Sequence, residues 1–387
     1  MDRTRSPAGI LAVTRRPGGG LVAQSVARAQ RREGDVVLEP ICVGVCGTDL
    51  DILRGERPAE AEVLGHEGLA VIAESDHSSG PLARGTLVVP NPVDPRSPSV
   101  VLGHSWNGLL QQELLLPHGC YLLDQLIPFD LRLPMLAGVL VEPLATVVYA
   151  HEVVAAPSGA RVGVIGAGPI GLLHAMYATA EEQADVVVIS SDRHGRAEWS
   201  VSRGLLEREQ MVVMTDRVVD EIRERCGDGL DAVYVCTPRA ATRSAMGLAE
   251  VLVRDGGSID VVAGLSTDPE DRMMRGLDIG EVRTRNTCGL PSSPASCRVA
   301  LEDGRTINLV GQRGTAARHV QRAMAHLVDG RTPFERVISH AVPLPASPDL
   351  ILEMARAIPQ HRFNGAFMKV AVLVHAVAVS DDVTVIG

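Results

Sequence analysis

Three short polar islands carry side chains that could bind a metal or move protons, each set in apolar surroundings. CGTDL (46–50) holds Cys46, Thr48 and Asp49, LGHE (64–67) holds His66 and Glu67, and VEPL (141–144) holds Glu142. Taken singly, each has an ordinary explanation. A cysteine after VGV fits a small buried apolar position, a single histidine fits hydrogen-bonded packing, and Glu142 before a proline fits a carboxylate at a helix N-terminus. Taken together they supply one thiolate, one imidazole and one or two carboxylates. That is the kind of set a catalytic zinc uses, with a fourth position left for water or substrate. Spacing alone does not join the islands, because Glu142 lies 75 residues beyond Glu67.

A second feature is RVGVIGAGPIGLLHAMYATA, in which an apolar run leads straight into Gly166, Gly168 and Gly171 and then into helical periodicity. At a strand-to-helix junction the first glycine makes the tight turn and the second admits a pyrophosphate. The third lets helix and strand approach, and the helix N-terminus, opened by Pro169 and Ile170, faces the phosphates. A dinucleotide is the implied ligand. The next apolar run, DVVVIS, ends near Ser190 and Ser191 and is followed by Asp192, Arg193 and Arg196. Asp192 at the strand tip would bind ribose hydroxyls and select NAD, whereas a serine there frees Arg193 to meet a 2′-phosphate. The run stops at Ile189, so the balance tilts to NADP(H), with Ser191, Asp192 and Arg193 as the deciding residues.

These groups need elements to hold them. Before residue 150 the chain alternates short apolar runs with Gly and Pro: GILAVTRR, DVVLEPICVGV, EGLAVIAES, GTLVVP and LLQQELLLP. They read as strands of a β-rich domain. From Arg161 strand-like and helical segments alternate through RVGVIG, DVVVIS, MVVMT, DAVYVCT and SIDVVAG, the sign of βαβ units and a parallel sheet. TINLVG (306–311) is a sixth candidate strand. The connection 265–305 is too long for an ordinary loop and is a candidate extra helix (271–277), lid or oligomer contact. The run 367–374 is again strand-like and suited to rejoin the first domain.

A formal net charge of −10 argues against a nucleic-acid surface, and seven scattered cysteines do not make a disulfide framework. No signal-like apolar run opens the chain, and no stretch is expected to approach the roughly 20 apolar residues of a bilayer span. A cytoplasmic protein without membrane contact is expected. Aromatic residues are 3% of the chain against 45% hydrophobic, so Val, Leu, Ile and Ala must build the cores.

The segments VGVCGTDLDILRG, LGHEGLAVI, LVEPLATVVYAHE, VGVIGAGPIGLLHA and FMKVAV together resemble the medium-chain dehydrogenase/reductase superfamily, in particular its zinc-containing polyol, threonine and glucose dehydrogenases. The resemblance covers almost the whole chain. It implies an α/β protein, with a GroES-like β-rich catalytic domain built from both chain ends around a Rossmann doubly wound parallel sheet. The expected divisions are 1–155, 156–311 and 312–387. It implies that Cys46, His66 and Glu142 are zinc ligands, and that Glu67 ligates zinc or displaces its water. Asp49 would orient His66 and Thr48 would pass the alcohol proton outward. Members often bind a structural zinc with four close cysteines, but 91–112 contains none, so one catalytic zinc and no structural zinc is expected. Asp51 stands where some relatives place a relay histidine. The implied reaction is hydride transfer between a nicotinamide cofactor and a secondary alcohol or ketone, on a polyhydroxylated small molecule such as a sugar, cyclitol or aminocyclitol. His104, Trp106, Asn107, Gln312 and Arg313 are candidate pocket residues. A homodimer or homotetramer is implied. The rivals are a metal-free ketone reductase of the same superfamily and a non-catalytic cofactor-binding protein.

Overall fold

The computed structural model describes residues 9–191, 195–357 and 367–386. It divides into two compact units, one of Met1–Glu142, His340–Arg356 and Val370–Gly387, the other of Pro143–Ser339 and Ala357–Lys369. The first division therefore falls between Glu142 and Pro143, where 155/156 was expected, and the later one falls at 339/340, where 311/312 was expected.

The first unit is built on an eight-stranded sheet. Its spine is Val36–Gly44, which pairs antiparallel with Glu67–Glu74 on one side and with Lys369–Leu373 on the other. Eight of the nine residues of Val36–Gly44 are buried, so this central strand is apolar nearly throughout and not alternating. Gly44 pairs with both Glu67 and Ala371, and the Val45 N–H donates to the Val370 carbonyl at 2.9 Å. The strand thus delivers Cys46 to the sheet rim directly beside Glu67. Of the run LLQQELLLP only Leu114–Leu116 is strand.

The second unit holds a seven-stranded sheet. Its parallel strands, in chain order, are Arg161–Ile165, Asp185–Ser190, Met211–Val213, Leu230–Val235, Val253–Val261 and Thr306–Val310. Their spatial order is third, second, first, fourth, fifth, sixth, with Cys297–Ala300 added antiparallel at the edge of the sixth. This is the doubly wound order, whose direction reverses between the first and fourth strands. One face is covered by an apolar cluster including Val233, Val235, Ile259, Val261 and Leu309. On the other face Tyr234 and Asp260 lie in register with Val164 and Val310.

Two expectations need correction. The segment 265–305 is not an extended helix over 271–277, because helix Pro269–Arg272 stops there and the hairpin Met273–Met274/Leu277–Asp278 takes its place. The short helix Ile279–Thr284, a second hairpin (Asn286–Thr287/Leu290–Pro291) and the edge strand follow. The second correction is that one stretch, Met135–Val154, is long and apolar enough by composition to cross a membrane, with mean hydropathy 1.3 over its best part. It contains helix Gly138–Val154 and is 72% buried inside the protein. Gly138, Glu142 and Pro143 interrupt the run and hide its length in the sequence.

Candidate metal centre and nucleotide site

Cys46 sits at the start of the helix Gly47–Leu53, about two turns long, and Asp49 in that helix turns back on it. Oδ2 of Asp49 accepts the Cys46 N–H at 3.0 Å, and its Oδ1 accepts the Gly65 N–H at 3.4 Å. Asp49 is 1% exposed, so this carboxylate joins the two islands inside the protein. Gly65 has φ +95°, and a Cβ there would lie 2.8 Å from Cγ1 of Val43. Glycine is thus required where the chain turns to aim His66. The neighbouring loop presses equally close, since a Cβ on Gly108 would fall 2.2 Å from the Gly65 carbonyl oxygen.

The outcome is a group of three. One ligand atom each from Cys46, His66 and Glu67 lies within 4.8 Å of the others, with His66 and Glu67 buried and Cys46 half-buried. His66 Nε2 is 3.9 Å from Oε1 of Glu67, while its Nδ1 faces Asp49 at 3.7 Å. Tetrahedral ligands about 2.0–2.3 Å from a zinc stand roughly 3.3–3.8 Å apart, so these atoms need to close by about an ångström. Sulfur, nitrogen and oxygen donors in one buried cluster suit that ion. Burial, and the charge of Glu67 after it, push the Cys46 thiol up, with His66 opposing. Burial disfavours the His66 cation, yet the charge of Cys46 and the carboxylate of Asp49 hold the ring well above the ordinary imidazole value. This is the electrostatic signature of a thiolate, imidazole and carboxylates that share too few counter-charges, and a divalent cation relieves it.

Glu142 does not belong to this group of three; it lies half-buried in helix Gly138–Val154, next to Pro143. Thr48 is half-buried in helix Gly47–Leu53. Asp51, in the same helix, is ion-paired with Arg54, which also holds Glu56 at 2.9 Å.

In the second unit Gly166, at φ +115°, makes the tight turn, and a Cβ there would lie 2.5 Å from the Cys236 carbonyl oxygen. A Cβ on Gly171 would be only 1.9 Å from the Gly166 carbonyl oxygen, which is the close helix–strand approach expected of the third glycine. Gly168 caps helix Pro169–Glu181, and a Cβ there would meet nothing nearer than Nη1 of Arg196 at 3.9 Å. The middle glycine therefore opens onto space beside a cation, at a helix N-terminus begun by Pro169 and Ile170, as a pyrophosphate requires.

Residues 32–123 match the family model described as the alcohol dehydrogenase GroES-like domain. The chain is 29% identical over 362 residues to a glucose 1-dehydrogenase of Thermoproteus tenax, covering 86% of this chain and 93% of that one. It is 25% identical over 359 residues to a sorbitol dehydrogenase of Bombyx mori, covering 88% and 91%. Among solved structures, a candidate zinc-binding dehydrogenase from Sinorhizobium meliloti bound to NADP superposes with TM-score 0.69 at 22% identity, over 95% of this chain and all of that one. Residues 32–123 carry the alcohol dehydrogenase GroES-like domain, and the chain as a whole is similar to sugar and polyol dehydrogenases of the zinc type.

Within this dehydrogenase the remaining expected residues have definite places. His104 comes to the metal centre, its ring edge-on to His66 with centroids 4.8 Å apart, and Nη2 of Arg57 lies 3.4 Å from its Nδ1. Asn107 plays a different part, its Oδ1 accepting the Glu62 and Val63 N–H groups at 2.9 and 3.1 Å. Asn107 and Trp106 border a cavity of about 570 Å³ that has no wall from Cys46, His66 or Glu67. The lobe without cysteines is tied by polar groups. Buried Asp94 accepts from Arg96 at 2.8 Å and from Gln125 at 2.8 Å, and Gln125 accepts from Asn91 at 3.0 Å. Ser190 ends the second strand and Ser191 is exposed beyond it, while Asp192 and Arg193 lie outside the described residues. Gln312 is buried and Arg313 donates its N–H to the Asn286 carbonyl. Sequence reasoning passed over Asp260, although a lone carboxylate within the apolar run SIDVVAG was its visible signal.

Proposed function

We propose that this dehydrogenase interconverts a secondary alcohol and its ketone on a polyhydroxylated substrate, using one zinc held by Cys46, His66 and Glu67 and a nicotinamide nucleotide seated on the 166–171 turn. The observation that carries this reading is the meeting of those three ligand atoms within 4.8 Å, behind the shared carboxylate of Asp49. Bound there, zinc supplies Lewis acidity to the substrate oxygen and, with the nicotinamide, makes a hydride transfer feasible. The chain's own residues do the rest. Asp49 fixes the His66 ring and the Cys46 backbone, Thr48 passes the hydroxyl proton outward, and Glu142 stands as the further carboxylate that kinship adds to the centre. The helix end at Pro169 and the Arg196 guanidinium hold the pyrophosphate.

The relatives named for glucose and sorbitol support a sugar or other polyol, cyclitols and aminocyclitols included. The serine tip of the second strand, and the NADP carried by the Sinorhizobium meliloti structure, favour NADP(H) over NAD(H). A cytoplasmic homodimer or homotetramer completes the reading, on the strength of kinship.

The test is metal content by elemental mass spectrometry alongside turnover on a polyol panel with both nucleotides. About one zinc per chain, lost in Cys46→Ser together with turnover, supports the proposal. Ketone reduction by zinc-free protein would replace it with the metal-free reductase, and two zincs per chain would place a second metal site in the protein.

A further inference from the structure

Buried side-chain atoms without a hydrogen-bond partner occur at the carboxyl edge of the Rossmann sheet. On the half with the glycine turn the unpartnered atom is a donor, Nε of Arg196, whose Nη1 faces Gly168. Across the reversal point, among the described residues, the unpartnered groups at the strand ends can all accept: the Thr237 hydroxyl (which also donates) after the fourth strand, both carboxyl oxygens of Asp260 near the end of the fifth, and Oε1 of Gln312 after the sixth, while Nε of Arg272 in the 265–305 connection is a donor. Asp260 is 0% exposed and Gln312 is 4% exposed. The fourth, fifth and sixth strands are direct neighbours in register, so these acceptors form one patch.

Buried acceptors left unmatched are costly, at roughly 1–3 kcal/mol each, and a ligand rich in N–H groups removes that cost. In a doubly wound sheet the dinucleotide straddles the reversal point, one mononucleotide half on each side. Cationic Arg196 and the glycine turn suit the phosphates. The acceptor patch then falls to the other half, whose base ends in a carboxamide carrying two N–H donors. Burial pushes Asp260 up to about 7, with the Arg283 charge first and the Gln312 amide after it favouring the ionised carboxyl. An ionised Asp260 offers acceptors alone, so a Gln312 amide turned towards it brings its NH2 and leaves Oε1, itself buried without a partner, for another donor.

We propose that Gln312 accepts a hydrogen bond from the nicotinamide carboxamide and that Asp260 is the positioning residue that orients the Gln312 amide for it. This rests on the nicotinamide reading of the second unit and adds the residues that recognise the pyridine end. It also moves Gln312 from the substrate to the cofactor.

The test is equilibrium binding, by calorimetry or protein fluorescence quenching, of three probes to the zinc-loaded full chain. They are NADPH (with NADH in parallel), the reduced 3-acetylpyridine analogue, which has no carboxamide N–H, and ADP-ribose. Gln312→Met, of similar size, should weaken the natural nucleotides about tenfold and leave the other two unchanged. Asp260→Asn should shift the same preference in the same direction by a smaller factor. Thermal melting checks that both variants are folded, and Gln312→Leu serves if Gln312→Met is not. Unchanged affinity for the natural nucleotides, or equal weakening of all three probes, overturns the proposal while leaving the cofactor reading standing. Wild-type protein that binds neither nucleotide overturns both.

Discussion

Asp49 grips the Cys46 and His66 islands at once: one carboxylate oxygen takes the Cys46 N–H at 3.0 Å, and the other stands 3.7 Å from Nδ1 of His66. The buried carboxyl is held below its usual range, because His66 and the Cys46 N–H outweigh the penalty of burial. Asp49→Asn keeps the shape and removes the charge. Zinc affinity should fall roughly 10- to 100-fold, as outer-sphere partners of metal-bound histidines typically show. Competition with a chromophoric chelator measures it, and an unchanged affinity would remove Asp49 from the metal centre.

Gly65→Ala should be far more damaging than its size suggests. The position has φ +95°, and the added carbon would meet Val43 at 2.8 Å and Leu110 at 3.1 Å. A loss of about 2–4 kcal/mol and a lowered Tm are expected, with zinc stoichiometry falling as well. Gly80→Ala is the control, since φ is +80° there but a Cβ meets nothing. Equal effects at the two positions would show that backbone strain alone decides.

Arg196 is expected to act on the phosphates shared by both nucleotides. Arg196→Met should weaken NADH and NADPH alike, roughly tenfold to a hundredfold, and flatten the salt dependence of binding. Loss confined to NADPH, read from the ratio of the two Kd values, would put Arg196 on the 2′-phosphate instead.

A buried network in the second unit predicts how stability responds to pH. Oε1 of Glu182 lies 3.0 Å from Nδ1 of His151, whose Nε2 is 3.1 Å from Nδ1 of His174, and the Tyr234 hydroxyl lies 3.0 Å from the same Nδ1 of His151. Burial pushes the Glu182 carboxyl from 4.5 up to about 7 and pulls His151 from 6.5 down to about 3. A raised carboxyl means that the folded state holds its proton longer than the unfolded one. The stability linked to Glu182 is therefore fully present below pH 4.5 and is lost as pH rises through about 7. Glu182→Gln should match wild type in urea unfolding near pH 4 and exceed it by about 1–3 kcal/mol near pH 8. His151 works in the opposite sense, costing stability as pH falls below 6.5. A Glu182→Gln advantage that did not vary with pH would refute the buried-proton account.

The sequence revealed most where chemistry and local geometry coincide. Gly166 and Gly171 were legible because backbone approach forbids any side chain there. Cys46 and His66 were legible as islands, and kinship then supplied their union with Glu67, because a strand pairing between Gly44 and Glu67 is not written in either segment. Glu142 shows the limit of that route, as a matching motif does not set the distance between two elements. The hairpins of 265–305 escaped because two-residue strands are too short to show a period. Asp260 escaped for another reason: a strand residue's neighbours come from the strands beside it, far away in the chain.

The pairing of Val36–Gly44 with Lys369–Leu373 has a consequence for biosynthesis. The strand that presents Cys46 leaves the ribosome more than 300 residues before one of its flanking partners. The Rossmann unit lies between them and, up to Val310, carries its whole sheet. During synthesis the Rossmann unit can complete its sheet while the unit that carries Cys46 still has an open edge, so the nascent chain needs protection at that edge and not at the other.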